Sequence, residues 1–402
     1  MGPAGEPGDG IAVRPLHPER DMRALVDLRC RAFGRLTEAG RASWAAASEP
    51  DLCEQRILGA FDGSRLLAMA RFQDMLQCWH GRSVPMAGVA GVGVAPEERG
   101  RGVGRRLVTA LLQTIAGRNY PLAVLFPSTF PIYRSLGWEV AGTSYEAVFP
   151  AHALRSLAST REAVSGVRRA GPDDVPQVRE VLHRVHTAAR DCGPSVPGET
   201  VLRQALADPQ NFCYLADDGV LCYTWHDGHD EVFVYCAVAA SPQTTRALWA
   251  IVGSNCWLTD TVRARLAPAD PLWWLPPEPV ADAVDHDDWM LRVVDAPAAV
   301  AARGFPLAAD LTLLLHVTDD TRPANAGWWQ LKVSGGRGSL TRAGEPAGAR
   351  PLALGARGLA ALYAGTPAAT LRRAGLASGG DETADALLDS AFGGMPYLLD
   401  RF

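Results

Sequence analysis

The chain has 402 residues, 48% of them apolar, and a formal net charge of −5 from 39 basic and 44 acidic side chains. That length predicts two to four domains with ample material for ordinary cores, and the near-balanced charge argues against a nucleic-acid partner or a polybasic membrane patch. No apolar run approaches the ~18 residues of a spanning helix, so a soluble, cytoplasmic protein is expected. Eight cysteines without C-x-x-C spacing read as free thiols in a reducing compartment, with no zinc site, and the single lysine, Lys332, marks a GC-rich genome rather than a function.

Met1 to Gly10 is Gly/Pro/acidic, is expected to be disordered, and lacks the apolar core of a signal peptide. Ile11 to Gly34 predicts a short strand, a turn and a helix with Met22, Leu25, Val26 and Leu28 on its apolar face. Gly59 to Met69 reads as a hairpin strand around Asp62-Gly63, and Phe72 to Trp79 and Gly88 to Val94 as further strands. A turn at Ala95-Pro96-Glu97-Glu98 leads into Arg99-Gly100-Arg101-Gly102-Val103-Gly104, after which Val103, Leu107, Ala110, Leu111 and Ile115 recur at helical spacing. Leu122 to Phe126 is a buried strand and Pro131 to Leu136 a short helix before Trp138, so one mixed sheet accounts for this order.

The glycine turn is the most informative stretch. Glycines let backbone approach a ligand closely, amides at a helix N-terminus point at an anion, and Arg99, Arg101 and Arg105 add charge: physically, a cradle for a pyrophosphate. A Rossmann site would need G-x-G-x-x-G and an acidic residue about 20 positions on, and the glycine spacing here does not match. The bland reading is an arginine-rich surface turn.

Ala151 to Gly166 suits a linker. Val167 to Ala189 then echoes Val13 to Gly34, and Val232 to Ala240 with Thr244 to Gly253 repeats strand and helix. The turn between them, Ser241 to Thr245, has no glycine and is followed by one arginine, Arg246, so the second copy keeps the fold and loses the phosphate site. From Asp288 the pattern changes to a strand (Trp289 to Val294), a helix (Ala296 to Arg303), alternating runs at Leu311 to Val317 and Trp328 to Val333, helical stretches at Gly358 to Tyr363 and Asp381 to Leu388, and an apolar end at Phe402. The pairs His183/His186 and His226/His229 lack supporting ligands, so no metal is expected, and Trp273-Trp274 and Trp328-Trp329 read as packing or an interface.

The order R-x-x-G-x-G between strand and helix, followed by Ile132-Tyr133-Arg134-Ser135-Leu136-Gly137-Trp138, resembles the GNAT superfamily of acyl-CoA-dependent N-acyltransferases. With a degenerate second copy, the stretch Trp289 to Ala299 and the terminal Phe402, nearly the whole chain is similar to the Eis (enhanced intracellular survival) family. The fold class implied is α/β and α+β: a disordered start (1–10), a catalytic GNAT domain (11–150), a degenerate GNAT-like domain (151–287) and a sterol-carrier-protein-like α+β domain with the catalytic C-terminus (288–402). The resemblance implies acetyl-CoA against Val92, Gly93 and Val94, with its diphosphate on Arg99, Gly100, Arg101, Gly102, Val103, Gly104 and Arg105 and Ser128 nearby. It implies Tyr133 as the general acid, also touching the cofactor, the carboxylate of Phe402 as the general base, a substrate pocket of Phe33, Arg35, Trp44, Arg401 and Phe402, and a trimer or trimer-based hexamer.

The chemistry can be weighed separately. An amine must lose a proton to attack a thioester. A tyrosine of reference pKa ~10 suits protonation of a departing thiolate, whereas a terminal carboxylate near ~3.5 needs burial or a relaying water. Members that modify aminoglycosides need acidic groups around the acceptor. Arg35 and Arg401 are basic there, although Glu38, Glu49 and Asp400 are available, so an amine of modest charge, or one carrying an anionic group, is the expected acceptor. The alternatives are another acyl-CoA or a hydroxyl acceptor, or a catalytically silent CoA- or lipid-binding module.

Overall fold

The computed structural model describes residues 10–155, 157, 166–226, 231–276, 278, 281–345 and 351–402. The start of the chain and most of the expected linker therefore lie outside the described residues, as does His229. The chain divides into two compact units, one made of Ala87–Asn119 with the residues before Asp74, the other of Asp74–Met86 with Tyr120–Phe402.

The first unit contains β1 (Ile11–Pro15), α1 (Pro18–Phe33), α2 (Glu38–Cys53), β2 (Ile57–Asp62), most of β3 (Arg65–Trp79), most of β4 (Arg82–Val94) and α3 (Val103–Gly117). β1 and β3 flank β2, both antiparallel to it, through the expected hairpin at Asp62 and Gly63. The second arm of that hairpin and the run Phe72 to Trp79 are not separate strands: β3 is one strand of 15 residues, with Ala70 and Phe72 buried on either side of Arg71. α1 starts at Pro18 with Glu19 and Asp21 in its first turn and buries Leu25 and Leu28. α3 buries Val103, Leu107, Leu111 and Ile115, the stripe the spacing predicts. α2 has no counterpart in the sequence reading. Its composition is Ala-rich and polar with Pro50 inside, and only Ser48 and Leu52 are buried, so it carries no helical stripe to read.

The second unit holds β5 (Leu122–Leu125), α4 (Phe130–Arg134) and β6 (Glu139–Pro150), then α5 (Ala151–Arg155), β7 (Arg168–Arg169), α6 (Val175–Ala189), β8 (Cys192–Pro197) and α7 (Glu199–Ala207). They are followed by β9 (Asn211–Ala216), β10 (Gly219–His226), β11 (Glu231–Ala239), α8 (Pro242–Gly253), β12 (Thr261–Leu266) and β13 (Ala283–Val293). Trp289 to Val293, read from the sequence as the opening of the last domain, is the end of β13. That strand lies between β5 and β6, pairing Met290–Val293 with Leu122–Leu125 and Ala283–Leu291 with Glu139–Val148. β6 in turn pairs with β12, which runs parallel to β11. The two copies thus exchange strands, and their sheet is continuous from β5 to β10.

The last module has α9 (Ala296–Ala302), β14 (Leu311–Thr318), β15 (Gly327–Ser334), β16 (Arg337–Arg342), β17 (Leu352–Gly355), α10 (Ala356–Tyr363), α11 (Ala368–Arg373), β18 (Ala377–Gly379) and α12 (Glu382–Phe392). Its own five-stranded sheet runs β16-β15-β14-β17-β18, and the leucines of β14 and β15 meet α9 and α10 in one core with Trp289 and Leu291 of β13.

One fully buried side chain ties this module to the sheet. Arg292 of β13 donates to both carboxylate oxygens of Asp319 at 2.7 and 2.6 Å, to Thr321 Oγ1 at 3.0 Å, and to the carbonyls of Leu136 at 3.0 Å and Val293 at 2.7 Å. Removing one partner of a buried pair strands the other charge, at a cost of about 3–5 kcal/mol, whereas replacing both by apolar groups of similar size is often neutral or stabilising. Asp319→Ala is therefore expected to lower the urea midpoint far more than the double change Arg292→Met with Asp319→Leu. A single variant as stable as the wild type would show the pair to be inessential.

Candidate active site

In the first unit the turn before α3 is fastened from below. Glu98 is 3% exposed and accepts from Arg65 Nη2 at 2.6 Å and from Arg101. Gly100 and Gly102 have φ of +80° and +77°, and a Cβ added at either would meet nothing within 4 Å, so backbone conformation rather than crowding calls for glycine. Gly102 stands immediately before α3, and no side chain caps that helix. Val103 and Gly104 are buried at its base, and Arg99 and Arg105 are exposed. Arg99 makes no side-chain hydrogen bond or ion pair among the described residues. The sequence reading gave all three arginines to the anion; Arg101 also fastens the turn.

β4 leads into this turn with a left-handed backbone at Gly91, φ +56°, which is bulge geometry inside a strand. Val92 and Val94 follow, half-buried, and Gly93 is buried with Phe33 and Ala32 of α1 against it. Beside the bulge lies a pocket of about 200 Å³. Leu25, Phe33, Trp44, Ile57 and Met69 supply apolar walls, and Arg29 and Arg71 the charge. Phe33 and Trp44, named from the sequence, both line this pocket. Arg35 is exposed between α1 and α2 and does not line this pocket. Arg29 and Arg71, missed from the sequence, were legible only as arginines: Arg29 shares a helix face with Leu25 and Phe33 at four-residue spacing, while Arg71 interrupts a buried run of β3.

In the second unit Tyr133 is 4% exposed and packs edge-on to Trp138, ring centroids 6.0 Å apart. Its carbonyl accepts from Leu136 and Trp138, closing the short helix, and burial pushes its hydroxyl up to about 12. That hydroxyl has no hydrogen-bond partner among the described residues. Ser128 is exposed in the turn before α4.

The C-terminal segment is docked. Tyr397 N–H donates to Cys192 O at 3.1 Å, Leu398 N–H to Thr143 O at 3.2 Å, and Leu399 O accepts from Arg265 at 3.2 Å. Asp400 accepts from Ser195 at 2.8 Å. Phe402 sets its ring edge-on to Phe126 at 5.9 Å, and Arg401 lies over the same ring while pairing with Asp287. The basic charge expected of Arg401 is thus met by an acidic partner the sequence did not reveal.

The second copy differs at the equivalent helix start. Ser241 Oγ accepts from Thr244 N at 3.2 Å, and Thr244 Oγ1 donates to Asp218. A capped helix beneath a carboxylate is a poor anion site. His186 is buried and bonded to Asp191 at 2.8 Å, His226 packs on Phe233, and Trp329 is buried with its indole N–H on Asn325 O at 2.8 Å.

Comparison with known proteins decides the family. Residues 12–141 and 200–293 each match an acetyltransferase (GNAT) domain, and 296–398 a sterol carrier protein domain. An N-acetyltransferase of Streptomyces griseus is 30% identical over 86% of this chain and 90% of its own. The chain belongs to the Eis-type GCN5-related N-acetyltransferases. N-acetyltransferase Eis of Mycobacterium bovis is 29% identical over 70% of this chain and 72% of its own. A GCN5-related N-acetyltransferase from Kribbella flavida superposes with a TM-score of 0.92 at 43% identity, covering 98% of each chain, and an Eis protein of Mycobacterium abscessus with 0.74 at 25%, covering 97% and 100%. The tandem arrangement and the sterol-carrier-like end expected from the sequence are therefore those of the family, and the chain is an acyltransferase.

Gly137 gives this site a direct test. It has φ +89°, and a Cβ there would lie 2.7 Å from the Ala356 Cβ and 2.9 Å from Arg292 Nε. Neither neighbour can yield, so Gly137→Ala in this Eis-type enzyme is expected to cost about 2–4 kcal/mol in chemical unfolding, from left-handed strain plus overpacking. A change below about 0.5 kcal/mol, ordinary for a surface site, would show the segment to be loosely held.

Proposed function

We propose that the protein is an acetyl-CoA-dependent N-acetyltransferase acting on the amine of a small molecule or peptide. The observation that carries this reading is the turn before α3: left-handed glycines, amides with no side-chain cap and an outward Arg99, on a chain of the acetyltransferase family. In this reading the CoA diphosphate is held at Arg99 to Arg105, and Val92 and Val94 run beside the pantetheine after the bulge at Gly91.

The amine nitrogen attacks the thioester carbonyl, a C–N bond forms, and the C–S bond breaks. Tyr133 gives its hydroxyl proton to the leaving CoA thiolate, and the main-chain carboxylate of Phe402, directly or through a water, takes the proton from the amine. With its hydroxyl pushed up to about 12 by burial, Tyr133 stays protonated at neutral pH and is available as a donor to the sulfur as it becomes anionic. The packing of Phe402 on Phe126 supports a fixed rather than a frayed base.

Thiol release from acetyl-CoA with a panel of amines tests the assignment. CoA binding with no release from any amine would identify a silent binding module instead. Tyr133→Phe is expected to lower kcat about 10²-fold, within the range for a general acid, with KM for acetyl-CoA unchanged. Because the raised hydroxyl stays protonated until about pH 12, the wild-type kcat profile should show no alkaline fall from this group below roughly pH 11. Unchanged turnover in the variant would remove Tyr133 from that role, whereas a tyrosine-dependent fall near pH 9 would keep the role and overturn the raised value.

Extending the chain beyond Phe402 by a few residues should abolish turnover while leaving the unfolding midpoint unchanged. A fully active extended protein would show that the base lies elsewhere.

A further inference from the structure

The pocket beside Gly91 combines three properties that together define a ligand. The first is size: about 200 Å³ is below the ~300 Å³ at which pockets for drug-sized ligands begin. It takes a small molecule, or one end of a larger one. The second is an apolar and aromatic lining from Leu25, Phe33, Trp44, Ile57 and Met69. The third is a wall with two arginines and no acidic residue.

The two arginines are not equivalent. Arg29 is engaged, donating to the Gly34 carbonyl at 2.8 Å, and holds the end of α1. The Arg71 side chain has no hydrogen bond or ion pair among the described residues, and its Nε is buried without a partner. The acid whose field reaches it is Asp51, which has its own ion pair with Arg56 at 4.0 Å and is itself pushed up by burial. Burial pulls the Arg71 guanidinium below its ordinary value, the mark of a charge only partly compensated. Its stem lies along the bulge, with Cγ, Nε and Cδ at 3.7, 3.8 and 3.9 Å from where a Cβ of Gly91 would be. The charge is thereby held at the strand that continues into Val92 and Val94. A polycation is the wrong ligand for such a wall. A group that brings an anion to a planar, preformed donor fork is the right one.

We propose that this pocket selects an acceptor amine bearing a carboxylate, which pairs with the guanidinium of Arg71 while an aromatic or apolar body lies against Phe33, Trp44 and Met69. The inference rests on the acetyltransferase reading for its chemistry, but the anion site can be tested without it. Arg71 is here a specificity-determining residue and takes no part in proton transfer.

The experiment uses matched pairs of probes: 4-(aminomethyl)benzoate against 4-(aminomethyl)benzamide, and phenylalanine against phenylalaninamide. Each is followed by thiol release from acetyl-CoA and by calorimetric binding, with the full-length wild type, Arg71→Met and Arg71→Lys. A hydrogen-bonded charge pair predicts that the wild type prefers the acid of at least one pair about ten- to hundredfold in kcat/KM, with the difference in KM rather than kcat. Arg71→Met should erase the preference while retaining turnover of the amide, and Arg71→Lys should restore part of it. Retained amide turnover also shows that the variant is folded. If thiol is released but acid and amide of both pairs are used equally, or the preference survives Arg71→Met, the carboxylate site is overturned and the acetyltransferase stands. If no amine releases thiol yet the benzoate binds in an Arg71-dependent way, the transferase reading fails and the anion site stands. Absence of Arg71-dependent binding or selectivity overturns the site.

Discussion

The guanidinium of Arg292 is the constraint on which the segment around Tyr133 depends. It sits in the core, fully buried, and its donors reach the Leu136 carbonyl just after the Tyr133 helix, the carbonyl of Val293 on its own strand, and the Asp319 carboxylate of the last module. A buried arginine is costly unless every donor finds geometry of this kind. Having found it, the arginine leaves the segment from Tyr133 to Trp138 one position. Gly137 is glycine because the guanidinium occupies the space its side chain would need. Arg134 and Arg357 close the same region from outside by pairing with the buried Glu139 carboxylate, Arg134 at 2.8 Å. The segment that carries Tyr133 is thus held by ion pairs on both sides.

The two acetyltransferase copies differ where a strand meets a helix. Both bring a strand into a helix through a short turn. In the first, glycines with left-handed backbone and no side-chain cap leave the helix dipole facing outward. In the second, Ser241 takes the amide an anion would want, and Asp218 puts a negative charge at the same place. The second copy nonetheless contributes β13 to the other copy's strands β5 and β6. Its fold is retained because the first copy's sheet contains one of its strands.

Much of this was legible in the sequence. The glycine and arginine turn, the stripe of α3, the short helix at Tyr133 and the repeat of strand and helix all follow from local spacing, and local spacing is what folding preserves. Non-local pairing is not written that way. Trp289 to Val293 reads as a buried strand wherever it pairs, so the sequence placed it with the module that follows it rather than between β5 and β6. α2 carries no apolar stripe, and its interior proline argues against a helix. The charges were legible as residues but not as partners. Arg401 looked like a pocket cation and is held by Asp287, Arg35 stands exposed, and the arginines that line the pocket, Arg29 and Arg71, sit where a helix face and a buried strand gave no sign of a ligand.

The last module matches a sterol carrier protein domain, and its described residues pack closely. The gap in its core, among Leu315, Leu331, Leu359 and Phe392, has a volume of about 10 Å³, scarcely room for one water. Next to that core Arg303 is enclosed by the rings of Trp79, Phe305, Tyr363 and Phe392 at 4.6 to 5.6 Å. That arginine donates to the carbonyls of Tyr363 and Phe392, which end α10 and α12. The residues after α12 then lie along Thr143 and Cys192 and bring Phe402 to Phe126, at the end of the strand that leads to Tyr133. The packing around Arg303 thus fixes where the chain beyond Phe392 runs, and a close-packed interior holds that path better than a cavity would.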